Sequence, residues 1–156
     1  MIAAPAIPPL EALGRALEYP DAELPARWET CRAALATAHP AAAAHVEAAL
    51  AFLERSSPEE IEEIYARAFD LSPACAPYVT VHLFGEESFK RGEFMARLQE
   101  RYAEEGFASG AELPDHVATL LRYAARAEPE EAGELAQYCL MTPLRRMADA
   151  LGAENP

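Results

Sequence analysis

Apolar residues recur along this chain at helical spacing, and the residues between them are those that start and stop helices. Leu10, Leu13 and Leu17 follow Pro8 and Pro9 and share one helical face. Tyr19-Pro20 ends that element, because proline pushes the residue before it out of the α region. Asp21 is placed to cap a second helix, in which Leu24, Trp28, Cys31, Leu35 and Ala38 form one buried stripe. His39-Pro40 breaks it, and Val46, Ala49, Leu50 and Leu53 mark a third. Ser57-Pro58-Glu59-Glu60 is a strong start signal: the serine can accept from the third amide, Glu60 can reach back, and proline suits the first helical position. Ile61, Ile64, Tyr65 and Ala68 give this fourth helix its apolar face.

Asp70 to Pro77 reads as a loop with two prolines. Tyr78 to Phe84 is apolar and rich in β-branched residues, yet no second strand candidate exists to pair with it, so it reads as a short buried helix. Gly85 ends it, and Glu86-Glu87 reads as an acidic first turn favoured by the helix dipole. Phe94, Met95, Leu98 and Tyr102 share one face, and Gly106 is a left-handed stop that lets Phe107 fold back on Tyr102. After the loop ASGAEL, Pro114 is expected to start a helix with Val117, Leu120, Leu121 and Ala124 inward. Glu128-Pro129-Glu130-Glu131 starts the last helix, with Leu135, Cys139 and Leu140 packed inward. Pro143 is expected to kink or break that helix before Leu144, Met147 and Leu151. The pattern predicts an all-α protein: one domain over residues 1–156, core 10–152, a bundle of about seven to eight helices.

Composition supports one such domain. A chain of 156 residues with 51% hydrophobic content can bury a real core, and only 7 glycines interrupt alanine-rich runs. The formal charge of −13 argues against nucleic acid or an anionic membrane as partner, since both require a basic face. It suits a basic partner. Cys31, Cys75 and Cys139 are odd in number, with no CxxC and no zinc spacing, which predicts reduced thiols in a cytoplasmic protein. The N-terminal MIAAPAIPPLEAL has no basic region and two adjacent prolines, unlike a signal peptide. The most apolar window, AAAAHVEAALAFL, is too short to span a bilayer.

The chemistry concentrates between Asp70 and His116. Asp115 and His116 are expected in the first turn of their helix, with His116 on the side of Leu120 and Tyr123 and Asp115 near Thr119 and Arg122. An Asp–His pair can be half of a catalytic unit, but no GxSxG or Cys–His signature supplies the nucleophile. The pair therefore reads rather as a dipole-favoured acid beside a half-buried imidazole. Cys75 lies seven residues before His82, and as a nucleophile it requires a base and a lowered pKa. A small hydrolase using Cys75, His116 and Asp115 is therefore the alternative from another class; a helical adaptor with an unrelated partner is a third. His82, Glu86, Glu87 and His116 match no metal-ligand spacing. An acidic helical domain without a visible catalytic set most often works by binding, commonly an amphipathic helix in a groove.

Three stretches resemble the NarJ-type nitrate reductase assembly chaperones, within the wider group of helical chaperones for molybdenum enzymes. They are LGRALEYPDAEL, FDLSPACAPYVTVHLFGEESFKRG and GFASGAELPDHVATLLRYAA. The resemblance implies an all-helical cytoplasmic chaperone rather than an enzyme, holding no cofactor or metal of its own. It implies a partner: the N-terminal peptide, twin-arginine-type or its remnant, of a molybdenum oxidoreductase catalytic subunit, with nitrate reductase as the leading client. It also implies a monomer or a helix-swapped dimer. On the matching motif positions, Tyr78, Phe84, Gly85, Glu86, Pro114, Asp115 and His116 are the candidates for the functional surface. Asp115 and His116 are expected to order the loop 108–113 and line the peptide groove.

Overall fold

The computed structural model describes residues 8–70 and 75–152. Residues 1–7, within the stretch read as unlike a signal peptide, and 71–74, within the two-proline loop, lie outside the described residues, as do 153–156. Helix makes up 72% of the chain, and among the described residues no strand forms. The order is α1 (Pro9–Ala16), α2 (Leu24–Leu35), α3 (Pro40–Glu54), α4 (Pro58–Phe69), α5 (Val79–Phe84), α6 (Phe89–Glu104), α7 (Val117–Arg126), α8 (Pro129–Glu134) and α9 (Met141–Leu151). A π-helical segment, Leu135–Leu140, joins α8 to α9 without a break, so the chain forms eight rods. The all-α class expected from the sequence is the class observed.

Local signals explain most boundaries. Prolines sit in the first turn of α1, α2, α3, α4 and α8, where a missing N–H costs nothing. The capping box of α4 is complete: the Glu60 amide donates to Ser57 Oγ at 3.2 Å, and the Ser57 amide to Glu60 Oε2 at 2.8 Å. At the end of α6, Gly106 adopts φ +64°, Phe107 N–H donates to Tyr102 O at 2.8 Å and Gly106 N–H to Ala103 O at 3.2 Å. This is the predicted left-handed stop, with both bonds of a Schellman motif. Phe107 folds back on Tyr102, ring centroids 4.9 Å apart.

Several boundaries differ from expectation. α2 stops at Leu35, leaving Ala38 exposed. Asp21 stands ahead of α2: its carboxylate accepts from the Glu23 amide at 2.8 Å and from Arg27 at 2.7 Å. Glu86 and Glu87 precede α6, whose cap is Ser88, accepting from Lys90 N–H at 3.3 Å. Pro143 neither breaks nor stops the last rod. It occupies the first turn of α9, and the wider π turn before it takes up the position where an α-helical N–H is missing.

α7 forms the centre, with Val117 to Leu121, Tyr123 and Ala124 all buried. Around it lies the larger core, from Cys75, Val79, Leu98, Tyr102, Phe107, Leu140 and Met147. A second core joins α1, α2 and α3 through Ala12, Ala16, Cys31, Leu35, Ala43, Val46 and Leu50. α1 packs on both α7 and α2. Its approach to α7 requires Gly14, where a Cβ would lie 2.7 Å from Ala118 O and 2.6 Å from Arg122 Cγ.

Candidate functional site

α3 is apolar on more than one face, and only one can meet the second core. Ala43, Val46 and Leu50 fill that core. His45, Ala48, Ala49, Phe52 and Leu53 face elsewhere, into an open groove of about 800 Å³. α4 forms the opposite wall with Ile61, Ile64, Tyr65, Ala68 and Phe69. Trp28 and Leu24 from α2, the end of α1 and the end of α9 complete it. Its acidic and basic lining residues are Glu18, His45 and Arg55. The groove therefore exposes a concave apolar surface that the described residues do not fill, the usual form of a ligand site.

One end of the groove is aromatic and acidic. Tyr65 meets Tyr19 edge-on at 5.2 Å and Phe69 at 5.1 Å. Burial, then the charge of Glu112 and that of Asp70, pushes the Tyr65 phenol up to about 12. Burial and the same two carboxylates also raise the Tyr78 phenol. Tyr78 shares these charged neighbours but does not itself line the groove.

Behind it lies a buried latch between α5, α6 and α7. Tyr78 and His116 form an isolated antiparallel bridge, in which Val79 N–H donates to Asp115 O at 3.0 Å and Val117 N–H to Pro77 O at 2.8 Å. Asp115 is fully buried. Its Oδ2 accepts from the Thr80 hydroxyl, Thr80 Oγ1 accepts from Arg91 Nε at 2.9 Å, and Arg91 Nε lies 4.0 Å from the carboxylate. His116 is the N-cap of α7, with Nδ1 accepting from Ala118 N–H at 3.1 Å and its ring edge-on to Tyr78 at 5.6 Å. Burial lowers its pKa, and the nearby charges of Glu112, Asp115 and Glu18 oppose that shift. Pro114 is buried, its carbonyl accepting from the Tyr102 hydroxyl at 2.7 Å. The loop 108–113 runs between Phe107 and this latch, and His116 N–H donates to Leu113 O at 3.1 Å.

The structure thus separates the seven candidates. Pro114 and Asp115 precede α7, and His116 caps it, rather than forming its first turn. The α-helical wheel that placed Asp115 near Thr119 and Arg122 does not apply, because Asp115 lies outside the helix and turns to Thr80 and Arg91. Pro114, Asp115 and His116 are buried, and none of them is among the residues that line this groove. Phe84 packs on Phe94 at 5.8 Å, while Gly85 and Glu86 are exposed at the end of α5; none lines the groove. Cys75 is buried, and burial raises its thiol pKa, the opposite of an activated nucleophile. Its Sγ faces Ala76 O at 3.7 Å, and His82 Nε2 bonds the same carbonyl at 2.7 Å, so His82 is no base for it. No group of three or more candidate metal ligands occurs among the described residues.

Sequence reasoning missed the groove. Ile61, Ile64, Tyr65 and Ala68 read there as an ordinary core face, and Trp28 as core. The available signal was α3, whose apolar residues exceed what one buried face can use.

Fold and groove define a class: all-helical domains that carry an open apolar groove. Residues 32–152 match the family described as nitrate reductase delta subunit, and the chain belongs to that family. It is also 35% identical, over 109 residues, to the "Probable nitrate reductase molybdenum cofactor assembly chaperone NarJ" of Bacillus subtilis (strain 168). The aligned stretch takes in 67% of this chain and 58% of that relative, so the chain spans little more than half the relative's length. The second and third resembling motifs fall within the family match; LGRALEYPDAEL precedes it.

Proposed function

We propose that this chain is an assembly chaperone for a molybdenum oxidoreductase and acts by binding, with no chemistry of its own. The client is the catalytic subunit of a nitrate reductase, and the segment held is its N-terminal peptide, a basic amphipathic helix of twin-arginine type or its remnant. Holding that segment retains the subunit until its cofactor is inserted and its partner subunit joins. The work is done in the cytoplasm, where free Cys31, Cys75 and Cys139 stay reduced.

The observation that supports this reading is the open groove of about 800 Å³ between α3 and α4. An amphipathic helix offers the apolar stripe that such a groove accepts. Each large side chain buried there contributes roughly 1.5–3 kcal/mol. The −13 charge steers a basic client and rejects an acidic one, with a smaller share of the affinity. Tyr78 contributes at the acidic end. Pro114, Asp115 and His116 act as positioning residues that hold the loop 108–113 and Tyr78 in place. Phe84, Gly85 and Glu86 receive no peptide contact.

Calorimetric titration with a synthetic basic amphipathic peptide at low and high salt tests the proposal. Binding at both salts, weakened only modestly by salt, is expected, since exposed charge pairs contribute about 0–1 kcal/mol each. Replacing the peptide's leucines should cost more than replacing one arginine. Folded protein that gives no complex at either salt overturns the proposal.

A further inference from the structure

Resting on the reading of the groove as a peptide site, we propose that Arg27, which does not line the groove, is the residue that positions its α1–α2 rim. Through that rim Arg27 sets the affinity for one of the ligand's apolar side chains.

The rim is the connection between α1 and α2. Leu17, Glu18 and Pro20 line the groove from it, and Leu24 does so from the first residue of α2. This stretch has little backbone support. Pro20 has no N–H to donate, and it disfavours the helical conformation at Tyr19. Glu18 N–H donates to Arg15 O at 3.3 Å, and Asp21 O accepts from Leu24 N–H at 3.1 Å. Between those two bonds no backbone–backbone hydrogen bond forms among the described residues. Side chains therefore hold the rim.

Arg27 is the side chain that holds its main chain. α2 starts at Leu24, which puts Arg27 at the end of the first turn. Its Nη2 donates to Tyr19 O at 3.1 Å and its Nη1 to Asp21 Oδ1 at 2.7 Å. The planar guanidinium thus bridges the two sides of Pro20 with a fork that lysine lacks. The same Asp21 oxygen accepts from Glu23 N–H at 2.8 Å, which fixes the acceptor to the start of α2. The Arg27 side chain is 15% exposed, and its Nε is buried with no hydrogen-bond partner among the described residues. An arginine extended into water would hydrate Nε. Holding it here costs desolvation that the two Nη bonds offset. The ion pair with the exposed Asp21 contributes little by itself, so the bond to Tyr19 O is the one that matters for the rim. The remaining contacts act on side chains. Glu18 reaches Arg122 at 3.3 Å, and the half-exposed Tyr19 ring meets Tyr65 edge-on at 5.2 Å. Loss of Arg27 leaves Tyr19 O without its donor and lets Glu18 and Pro20 draw away from the ligand.

The test uses the full chain and a synthetic basic amphipathic peptide of about four turns, with leucines along one face. Calorimetric titration compares wild type, Arg27→Ala and a control, Arg32→Ala, which loses an ion pair with Glu29 on the same helix. Arg27→Ala should weaken the peptide about tenfold, as for loss of one large apolar contact, while Arg32→Ala stays within about twofold. Repeating the titrations with each peptide leucine changed to alanine separates positioning from general stability. One leucine should couple to Arg27 by more than about twofold, although Arg27 lies off the groove; a loss of stability alone couples to none. Arg27→Lys keeps the charge without the fork; it should weaken the peptide about threefold, and it carries the test if Arg27→Ala does not fold. Wild-type affinity in the Arg27 variants, equal weakening by Arg32→Ala, or strict additivity with every leucine overturns the role of Arg27 and leaves the groove as the site. No complex with the wild-type protein overturns both.

Discussion

The latch at Asp115 separates a structural role from a ligand-contacting one. Asp115→Ala removes the acceptor of the Thr80 hydroxyl and the carboxylate that Arg91 faces at 4.0 Å. A hydrogen bond to a charged group contributes about 1.5–3 kcal/mol. Against that loss, Asp115 Oδ1 is buried without a hydrogen-bond partner, so removing the carboxylate also relieves a desolvation cost. The Arg91 side chain is 19% exposed and can turn to water. The expected loss is therefore near the lower end, about 2 kcal/mol, or a fall in melting temperature of roughly 4–8 °C for a chain of this size. Thr80→Val should cost more, about 3 kcal/mol, because it leaves the buried carboxylate with only a distant cation. Urea unfolding of both single variants and the double variant gives the coupling. It should exceed about 0.5 kcal/mol, as for residues in one network. Peptide affinity of the folded Asp115→Ala protein should fall by no more than about threefold, through the loosened Tyr78, since the carboxylate itself is not among the groove-lining residues. Unchanged stability together with peptide binding at least tenfold weaker would refute the latch and place Asp115 against the ligand.

Other outcomes follow from the same packing. Gly14→Ala forces a methyl against Ala118 O and Arg122 Cγ, so it should destabilise by about 1–3 kcal/mol in thermal unfolding; a neutral result would show that α1 and α7 are less closely apposed. His116 must be neutral at Nδ1 to cap α7, and its folded pKa lies below the ordinary value. The unfolded chain therefore binds the proton more readily, and the His116 contribution is full above about pH 6.5 and declines as pH falls toward the lowered folded pKa. His116→Asn, which keeps a capping oxygen, should lose this part of the pH dependence of stability; retention of the slope would refute the assignment. Ile64→Ser should weaken peptide binding about tenfold, by loss of one apolar contact, while Phe84→Ala, off the groove, should leave affinity within about twofold. Titrations of the two variants decide between the α4 wall and the α5 end.

Helix identity was legible because the apolar period and the capping residues agree, as at Ser57-Pro58-Glu59-Glu60 and at Gly106. Three of the candidate residues singled out in the sequence, Tyr78, Asp115 and His116, do come together. What each residue does there was not legible. Helical spacing relates only residues on one helix, and Asp115 is one residue ahead of the α7 cap, where its side chain meets Thr80, 35 positions away. The groove escaped for a related reason. A stripe such as Ile61, Ile64, Tyr65 and Ala68 has the same period whether its neighbour fills the space or leaves it open. That difference depends on how far α4 stands from α3, which no local pattern records.

The central claim is that the groove between α3 and α4 receives the client's N-terminal helix. A backbone amide chemical-shift map, recorded while unlabelled peptide is titrated into labelled protein, tests it most directly. The account predicts that the largest changes fall on His45, Ala49, Phe52 and Leu53 of α3 and Ile61, Ile64, Tyr65 and Ala68 of α4, with smaller ones at Tyr78. Changes confined to Phe84–Phe89, or to the exposed Tyr138 and Met141 side of the last rod, with the α3 and α4 signals unmoved, would contradict it.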